Sequence, residues 1–240
     1  MKIEKFKELM SSYGKEINIV FNDKQLEQFY DYMNLMIEWN EKINLTAITE
    51  PEDIILKHFI DSLTINKYIE IDETLADVGT GAGFPGIPLK IYRPDLKITL
   101  VDSLNKRINF LNEVIAKLNL EDIETVHSRI EDFGQNIKYR ENFKYVTARA
   151  VANLQVLSEY LLPLVKQEGN CICMKGSEIE EELEKSNKAI HILGGIVENQ
   201  EKLLLPHSDI KRNIIIIKKI KNTPSKYPRK AGVPAKSPLK

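Results

Sequence analysis

The sequence predicts an α/β fold in which helices wind around a mostly parallel sheet of seven strands, with a helical extension in front. After Ile71, short apolar strands alternate with helical stretches, which is typical of a doubly wound parallel sheet. The run from Thr74 to Leu89 passes from an apolar strand through Gly79, Gly81 and Gly83 into a predicted helix. Before residue 70 no strand alternation occurs, so this part is assigned to the extension.

Residues 1–70 are predicted to form the helical extension. Its apolar residues recur at helical spacing after Asn22 or Asp23, both suitable N-caps. These apolar residues are Leu26, Phe29, Tyr30, Met33, Met36 and Ile37. The stretch WNEKINLT, from Trp39 to Thr46, is expected to end that helix, and KHFIDSL, from Lys57 to Leu63, to lie on the next. We expect the apolar stripe to pack against the main domain.

The main domain is predicted over residues 71–221. Its parallel strands are expected near Leu75 to Val78, Ile98 to Asp102, Ile123 to His127, Tyr145 to Ala148 and Asn170 to Lys175. A further helix is expected from Glu178 to Leu193, because Gly194 and Gly195 follow it. Residues 196–205 and 213–219 would add a closing antiparallel pair. Residues 222–240 are rich in Pro, Lys, Ser and Gly and are predicted to form an irregular or mobile tail.

The glycine turn predicts a nucleotide-type ligand site. Glycines at alternate positions open backbone conformations that a Cβ forbids and let a ligand approach the main chain closely. Pro85 suits the first turn of the following helix, whose free N–H groups favour an electron-rich ligand group. The run from Gly81 to Gly86 also satisfies the dinucleotide pattern G-x-G-x-x-G. The glycines alone therefore do not choose between cofactors.

Two carboxylates narrow the choice of ligand. Asp77 ends the first predicted strand, where it would repel a pyrophosphate but suit the ammonium and sulfonium of S-adenosylmethionine. Asp102 ends the second strand and is positioned to bind ribose hydroxyls, which serves either cofactor. With the antiparallel edge, these features predict a Rossmann-like class I methyltransferase fold. A purely structural alternative is that a glycine turn followed by a surface Asp joins strand and helix in many enzymes.

The charge distribution points to a polyanionic partner. The chain has a net charge of −1, but from Lys211 onward it carries ten Lys or Arg and no acid, which leaves 24 basic against 35 acidic residues before it. The tail cations are spaced by prolines that keep the segment extended. Those expected to contact RNA phosphates are Lys226, Arg229, Lys230 and Lys236, with Lys240 at the end. Two alternatives are a solvated tail without a partner and a segment that folds over the cofactor cleft.

Other features narrow the class of protein. We expect no signal peptide and no membrane association, because the longest purely apolar run, residues 214–217, is too short to span a bilayer. A cytoplasmic monomer is expected. Cys171 and Cys173 alternate in a predicted strand, as small buried residues do. The four histidines lie far apart without ligand spacing, so no metal site is predicted.

An ordered set of motifs resembles the RsmG family, also called GidB, over nearly the whole chain. The motifs are NLT at 44–46, KHFIDS at 57–62, DVGTGAGFPGIPL at 77–89, VDSLNKR at 101–107, SRIEDF at 128–133, TARAVANL at 147–154 and PRKAGVPAKSP at 228–238. That family methylates N7 of a guanine in the 530 loop of 16S ribosomal RNA with S-adenosylmethionine. The resemblance therefore implies this activity and cofactor, and 16S ribosomal RNA as partner, either free or within the small subunit.

The resemblance also implies roles for individual residues. Those implied to line the cofactor are Gly79 and Phe84 at its methionine end, Asp102 and Ser103 near its ribose, and Ile130 and Glu131 beside its adenine. Arg149 is implied to face both the cofactor and the target base, and Lys175, at the tip of the fifth strand, is a second candidate catalytic residue. His58 and Asp61 lie within KHFIDS, and the sequence leaves their role open.

Two absences independently favour a ring nitrogen such as guanine N7 as acceptor. Methylation of an exocyclic amino group usually calls for an Asn/Asp-Pro-Pro-aromatic motif after the fourth strand, where this chain has ARAVANL. Formation of 5-methylcytosine needs a cysteine nucleophile, and neither cysteine has a suitable loop setting. The N7 lone pair is already nucleophilic, so positioning and exclusion of water should determine the rate. Arg149 is then an orienting or phosphate-binding residue, with a structural salt bridge as the alternative.

Three functions remain to be compared. The first is methyl transfer from S-adenosylmethionine to ribosomal RNA. The second is a nicotinamide-dependent dehydrogenase, which Asp77 and the basic tail disfavour. The third is an RNA-binding protein with a degenerate cofactor pocket, which the intact glycine turn and Asp102 disfavour.

Overall fold

Seven strands form one sheet in a computed structural model that describes residues 1–239; Lys240, the last predicted tail cation, lies outside the described residues. The strands are β1 (Thr74–Val78), β2 (Lys97–Asp102), β3 (Ile123–His127), β4 (Phe143–Arg149), β5 (Val165–Lys175), β6 (Gly195–Leu204) and β7 (Lys211–Lys219). Their order in the sheet is β3-β2-β1-β4-β5-β7-β6. Neighbours among β1 to β5 are parallel, and β7 is antiparallel to both β5 and β6. The predicted mostly parallel sheet with a closing antiparallel pair is confirmed.

Helices connect the parallel strands, and a loop at the carboxyl end of each strand precedes each helix. They are α5 (Gly86–Tyr92), α6 (Asn105–Lys117), α7 (Ile130–Gln135), α8 (Leu154–Leu161) and α9 (Glu180–Ile192). Along the chain, successive strands are added outward from β1 through β2 to β3, and the chain then returns to add β4 on the other side of β1. The sheet therefore has a switch point between β1 and β4. In such a sheet, ligands bind outside the carboxyl ends of the strands at this switch point.

The extension folds into helices, as predicted. Helix α1 covers Ile3–Glu16, and α2 covers Asp23–Ile43 behind a capping box in which Asn22 and Gln25 each bond the other's backbone N–H. The next helix is continuous but mixed in type. It runs through α3 (Pro51–Ile54), a π-helical segment (Ile55–Ile60) and α4 (Asp61–Leu63). The π-helical turn, which the sequence pattern did not indicate, often marks functional sites.

The extension covers one face of the sheet and shares its hydrophobic core. Buried Phe29 and Phe59 of the extension pack in the same cluster as Leu100 of β2 and Phe110 of α6. A second cluster on the other face contains residues of α8, α9 and the tail. Burial of these apolar side chains is the main force that joins extension to sheet. The apolar stripe therefore packs where the sequence analysis expected.

One tyrosine ties the extension to the glycine turn. Tyr32 of α2 is fully buried, and its hydroxyl donates a hydrogen bond to the carbonyl oxygen of Ala82. Gly83 follows with a φ of +100°, and a Cβ there would lie 2.8 Å from the Tyr32 hydroxyl and 3.0 Å from Leu111. The extension thus contacts the glycine turn through Tyr32, and only glycine fits at position 83 beside this side chain.

The tail is irregular, as predicted, but it packs against the body. It ends with the short helix α10 (Val233–Lys236). Thr223 and Tyr227 are buried. Lys219, fully buried at the end of β7, donates to the Thr223 hydroxyl over 2.8 Å and pairs with Glu141 over 2.9 Å. Burial lowers the pKa of Lys219, so these partners are needed to hold its charge inside.

Three further observations concern the cysteines, clusters of possible metal ligands and the length of the helices. Cys171 and Cys173 are fully buried, as expected, and burial raises the pKa of the Cys173 thiol to about 12. Among residues 1–239 no three His, Cys, Asp or Glu side chains converge as a metal site would need. None of the helices in this part combines the length and apolar character that crossing a bilayer requires.

We expect Tyr32→Phe to lower the free energy of unfolding by about 1 to 3 kcal/mol, because it leaves the buried Ala82 carbonyl without a donor. Urea unfolding measures the change. Tyr30→Phe is the matched control, since that hydroxyl bonds the carbonyl of Met1 near the surface and its loss should cost little. Equal effects of the two variants would show that Tyr32 does not support the turn.

Candidate functional site

Two adjoining cavities lie at the carboxyl ends of β1, β2 and β4. The first has a volume of about 620 Å³, within the range of small-molecule sites. The second has a volume of about 320 Å³. Ala150, directly after β4, lines both cavities and has a φ of +57°. A non-glycine residue in this conformation stores roughly 1 kcal/mol of strain, and such strain concentrates at functional sites.

Half of the predicted cofactor residues line the first cavity. Those that line it are Gly79, Asp102, Ser103, Ile130 and Glu131. Val151, Tyr160, Arg107, Arg129 and Gly232 complete its walls together with Leu104 and Ala150. Gly232 belongs to the C-terminal tail, so part of the tail does fold beside this cavity, as one of the sequence-based alternatives proposed.

Asp77 braces the glycine turn from beneath. It is fully buried, and its Oδ2 accepts hydrogen bonds from the Gly86 N–H over 2.8 Å and the Thr80 hydroxyl over 2.6 Å. Its Oδ1 is buried without a hydrogen-bond partner among the described residues. Burial raises the pKa of Asp77 to about 6, although these two hydrogen bonds oppose the shift. The carboxylate therefore has a structural function as well as an unused acceptor.

The glycines of the turn have different functions. Gly79 has a φ of +70°, and a Cβ there would lie 2.7 Å from a methyl group of Val151, so glycine leaves room beside the first cavity. Gly81 has a φ of +63° and donates its N–H to Asp102 Oδ2 over 3.0 Å. Gly83 contacts core side chains and does not line the first cavity, so a contact between Gly83 and the cofactor stays a prediction.

Asp102 is held at the edge of the first cavity by three donors. In addition to Gly81, its oxygens accept from the Leu104 N–H over 2.9 Å and from Arg107 Nη1 over 3.2 Å. Only 2% of the residue is exposed. Each carboxylate oxygen can accept more than one bond, so capacity remains for ligand hydroxyls.

The second cavity is organised by one buried carboxylate. Asp61 Oδ2 accepts from Arg149 Nη1 over 3.2 Å, and Asp61 Oδ1 accepts from Arg212 Nε over 3.0 Å. Arg149 Nη1 also donates to the carbonyl oxygen of Lys57 over 3.0 Å. Burial lowers the pKa of Arg149, and Asp61 opposes this effect. Two guanidinium groups thus share one carboxylate, which leaves this cluster positively charged.

His58 is fixed in one tautomer beside this cluster. Its Nδ1 lies 3.1 Å from Arg149 Nη2, and an arginine only donates, so Nδ1 must accept. The proton then sits on Nε2, which donates to the Thr46 hydroxyl over 2.9 Å. Burial and then the Arg149 charge lower the pKa of His58 to about 3. His58 is therefore neutral at physiological pH.

Phe84 lies beneath the second cavity. Its ring stacks on the His58 ring with centroids 4.4 Å apart, and the Arg149 guanidinium lies 4.9 Å from its centroid on a cation–π contact. Phe84 was expected at the methionine end of the cofactor, but it does not line the first cavity; it positions His58 and Arg149 instead.

Lys175 lines the second cavity, but its ammonium is engaged. It donates to the carbonyl oxygen of Ala152 over 2.9 Å and pairs with Glu182 of α9 over 2.6 Å. Sequence reasoning missed Asp61 and Arg212 as site residues. The only local signal was the polar pair His58 and Asp61, three residues apart, among the apolar residues Phe59, Ile60 and Leu63 of the same helix.

The tail cations divide into two groups. Lys226, Lys230 and Lys236 are exposed. Arg229 pairs with the buried Glu159 through Nε at 2.9 Å and Nη2 at 2.6 Å. This bidentate pair occupies the guanidinium and disfavours a contact of Arg229 with RNA phosphate, which stays a prediction.

The first cavity fits an adenosyl group joined to a cationic tail. Asp102 supplies acceptors for hydroxyl groups, and Ile130 and Val151 supply apolar walls for a base. The orphaned Asp77 Oδ1 is a buried acceptor of the kind that a cation would satisfy. A dinucleotide pyrophosphate would meet this carboxylate unfavourably.

Solved structures share the fold. The chain matches a putative S-adenosyl-L-methionine-dependent methyltransferase from Methanococcus maripaludis with a TM-score of 0.53 at 19% identity, covering 79% of this chain and 93% of that one. It matches a variant of the 16S rRNA (adenine(1408)-N(1))-methyltransferase from Catenulisporales acidiphilia with a TM-score of 0.53 at 17% identity, covering 64% and 88%. At such low identities the likeness shows the fold alone: a Rossmann-like class I methyltransferase fold.

Sequence comparison is more specific. The family model of the rRNA small subunit methyltransferase G, GidB, matches residues 25–215. The proteins named ribosomal RNA small subunit methyltransferase G from Desulforamulus reducens and Clostridium botulinum strain Loch Maree are 56% and 52% identical to this chain. The first match covers 94% of this chain and 95% of its relative, and the second covers 98% and 99%. The chain therefore belongs to the rRNA small subunit methyltransferase G family.

Proposed function

We propose that this protein transfers the methyl group of S-adenosylmethionine to N7 of a guanine in the 530 loop of 16S ribosomal RNA. Family membership supports the cofactor and the class of RNA. The observation that carries the choice of acceptor atom is the second cavity, which adjoins the cofactor cavity at Ala150 and offers cations but no available base.

The titratable groups that line the second cavity are already engaged. The Nδ1 lone pair of His58 accepts from Arg149, both oxygens of Asp61 accept from arginines, and the Lys175 ammonium is paired. Methylation of an exocyclic amino group must release a proton, for which this cavity has no ready acceptor. Guanine N7 has a free lone pair and releases none, so it suits the cavity.

Arg149 is assigned to orient the target base. A guanidinium has five N–H groups, and three contacts of Arg149 go to the carbonyl of Lys57, to Asp61 and to His58. The remaining donors serve the carbonyl oxygen that neighbours N7. Because Phe84, His58 and Asp61 fix the guanidinium, the donors are already in place when the base enters.

When bound, S-adenosylmethionine would supply an electrophilic methyl group on its sulfonium, with the N7 lone pair as acceptor and S-adenosylhomocysteine as leaving group. The protein contributes position and charge. Asp77 attracts the cationic end, Gly79 lets the ligand approach the main chain, and Asp102 with Ser103 binds the ribose. Ile130 and Glu131 border the adenine.

The other functions are disfavoured on specific grounds. A nicotinamide-dependent dehydrogenase would place its pyrophosphate over the buried Asp77 carboxylate. An RNA-binding protein with a degenerate pocket would not need Asp102 held by three donors at the edge of a cavity. We place Lys226, Lys230 and Lys236 on the RNA backbone, and the enzyme in the cytoplasm as a monomer that acts on the RNA within or outside the small subunit.

A methyl-transfer assay tests the proposal. Labelled S-adenosylmethionine is offered with free 16S ribosomal RNA and with the intact small subunit, and the labelled base is mapped. We expect label on N7 of one guanine in the 530 loop with at least one of these substrates. Label on an exocyclic nitrogen, on another base or on neither substrate overturns the proposal.

We expect Asp77→Asn to weaken S-adenosylmethionine binding about tenfold or more, because the amide keeps an acceptor for Gly86 but removes the negative charge. Since the pKa of Asp77 is about 6, the affinity of the wild-type protein should fall as the pH drops through 6, whereas the affinity of the Asp77→Asn variant should not. Titration calorimetry from pH 5 to 8 measures both. An equal pH dependence in the two proteins would show that Asp77 acts only on the turn.

Arg149→Gln should lower turnover on RNA by about a hundredfold with a smaller change in cofactor affinity, because its donors act on the target base. Turnover is measured per folded molecule, with the melting temperature recorded. Arg93→Gln is the matched control, since Arg93 forms a partly buried ion pair with Asp95 outside both cavities. If Arg93→Gln reduces turnover as much, the loss in Arg149→Gln reflects stability.

The neutral His58 should make the folded state less stable in acid. Between about pH 3 and 6.5 the unfolded chain binds a proton at His58 that the folded chain does not, so stability falls as the pH falls. The expected contribution between pH 6.5 and 5 is roughly 2 kcal/mol, at about 1.4 kcal/mol per pH unit. Urea unfolding measures the free energy of unfolding against pH, and the His58→Gln variant should lack this contribution. Parallel pH profiles of variant and wild type would contradict the lowered pKa of His58 in the folded state.

A further inference from the structure

The C-terminal tail contributes to the wall of the first cavity. We propose that residues 228–236 form the wall beside Glu131 and orient its carboxylate, so that cofactor affinity depends on the inner face of this segment and not on its exposed lysines. The proposal rests on the assignment of the first cavity to S-adenosylmethionine. It separates two functions within one segment: a cofactor wall inside and an RNA contact outside.

The contact with Glu131 is direct. Gly232 lines the first cavity, and its N–H donates to Glu131 Oε1 over 2.8 Å. Glu131 is 8% exposed and lines the same cavity. Tyr160 lies against it, and burial together with Glu131 raises the pKa of that phenol to about 12. One oxygen of Glu131 is thus fixed by the tail, which sets the direction of the other.

An ion pair secures the segment three residues before Gly232. The backbone N–H of Arg229 donates to Glu159 Oε1 over 2.8 Å, and its guanidinium binds both oxygens of that carboxylate. Glu159 is 1% exposed, so removal of Arg229 would leave a buried charge unpaired. Glu159 precedes Tyr160 on α8, and the pair therefore holds the tail next to the wall.

The segment also holds the helix that carries Glu131. Gln135 of α7 donates to the carbonyl oxygen of Pro228 over 2.8 Å, and Arg140 donates to that of Tyr227 over 2.6 Å. A Cβ on Gly134 of α7 would lie 2.8 Å from the Pro228 ring. Close packing on one side of α7 and a hydrogen bond to Glu131 on the cavity side fix the position of this helix.

The lysines point to a separate function. Lys226, Lys230 and Lys236 are exposed, whereas Tyr227, Pro228 and Pro234 between them are buried. The segment therefore presents its cations to solvent and its apolar and hydrogen-bonding groups to the body. Loss of the inner contacts should affect the cofactor, and loss of the outer charges should affect the polyanion.

The first experiment removes the wall but keeps its anchors. A truncated protein ending at Lys230 retains Thr223, Tyr227 and Arg229 and lacks Gly232. Binding of S-adenosylhomocysteine is measured by calorimetry, and the melting temperature without ligand checks the fold. We expect a Kd at least tenfold higher than that of the full chain, with a nearly unchanged melting temperature. An unchanged Kd overturns the proposal.

Point variants keep the test decisive if the truncated protein does not fold. Arg229→Gln breaks the anchor and should raise the Kd at least tenfold, and the added change Glu159→Gln should restore part of the affinity by removing the unpaired charge. Lys230→Gln is the matched control: the Kd should stay constant, while the slope of log RNA affinity against log salt should flatten by up to about 0.7 to 0.9. Equal Kd values for Arg229→Gln and wild type, or an equal rise in Lys230→Gln, contradict the proposal.

The outcomes separate this inference from the proposed function. If the full chain and the variants bind S-adenosylhomocysteine equally well, the tail does not form part of the cofactor site, and the proposed methyl transfer is unaffected. A full chain that binds it, with weakened variants, but methylates no guanine N7 disproves the reaction and leaves the wall. A full chain that binds neither S-adenosylhomocysteine nor S-adenosylmethionine overturns both.

Discussion

The buried carboxylate of Asp61 joins three distant parts of the chain. It lies on the extension and accepts from Arg149 at the end of β4 and from Arg212 near the start of β7. A carboxylate that is only 2% exposed is costly to bury without partners, so these elements must assemble together. The second cavity is the space that they enclose. The helical extension therefore lines the second cavity, through His58 and Asp61, as well as covering the sheet.

The cofactor side follows the same principle with backbone donors. Asp77 and Asp102 end neighbouring strands, and the N–H groups of Gly86 and Gly81 bind them. Each carboxylate adds a hydrogen bond to a turn that also has backbone bonds, such as the one from the Gly83 N–H to the Thr80 carbonyl, and glycine conformations let the N–H groups reach the acids. Asp102 also lines the first cavity, whereas Asp77 lies beneath the turn, so the contacts that stabilise the turn also fix Asp102 at the edge of this cavity.

The cations in and next to the tail fall into two groups: some pair with carboxylates, and others are exposed. Arg229 pairs with the buried Glu159, and Lys219, at the end of β7 just before the tail, pairs with Glu141. Lys226, Lys230 and Lys236 remain exposed. A basic, proline-rich composition therefore does not mean that a segment is unattached: a few internal ion pairs fix its path and leave the other cations available to a polyanion.

Local patterns in the sequence determined the fold class, the strand order along the chain, the glycine turn and the place of Asp102, because periodicity and turn chemistry act over a few residues. Tertiary structure decided the rest. His58 meets Arg149 across 91 positions and Asp61 meets Arg212 across 151, and no local pattern encodes such a meeting. The contacts of Arg229 and Gly83 are also long-range. Composition predicted that Arg229 binds RNA, whereas in the folded chain it pairs with Glu159, and Gly83 contacts the core side chains Tyr32 and Leu111. Long-range contacts are set by how the elements pack, so only the folded chain reveals them.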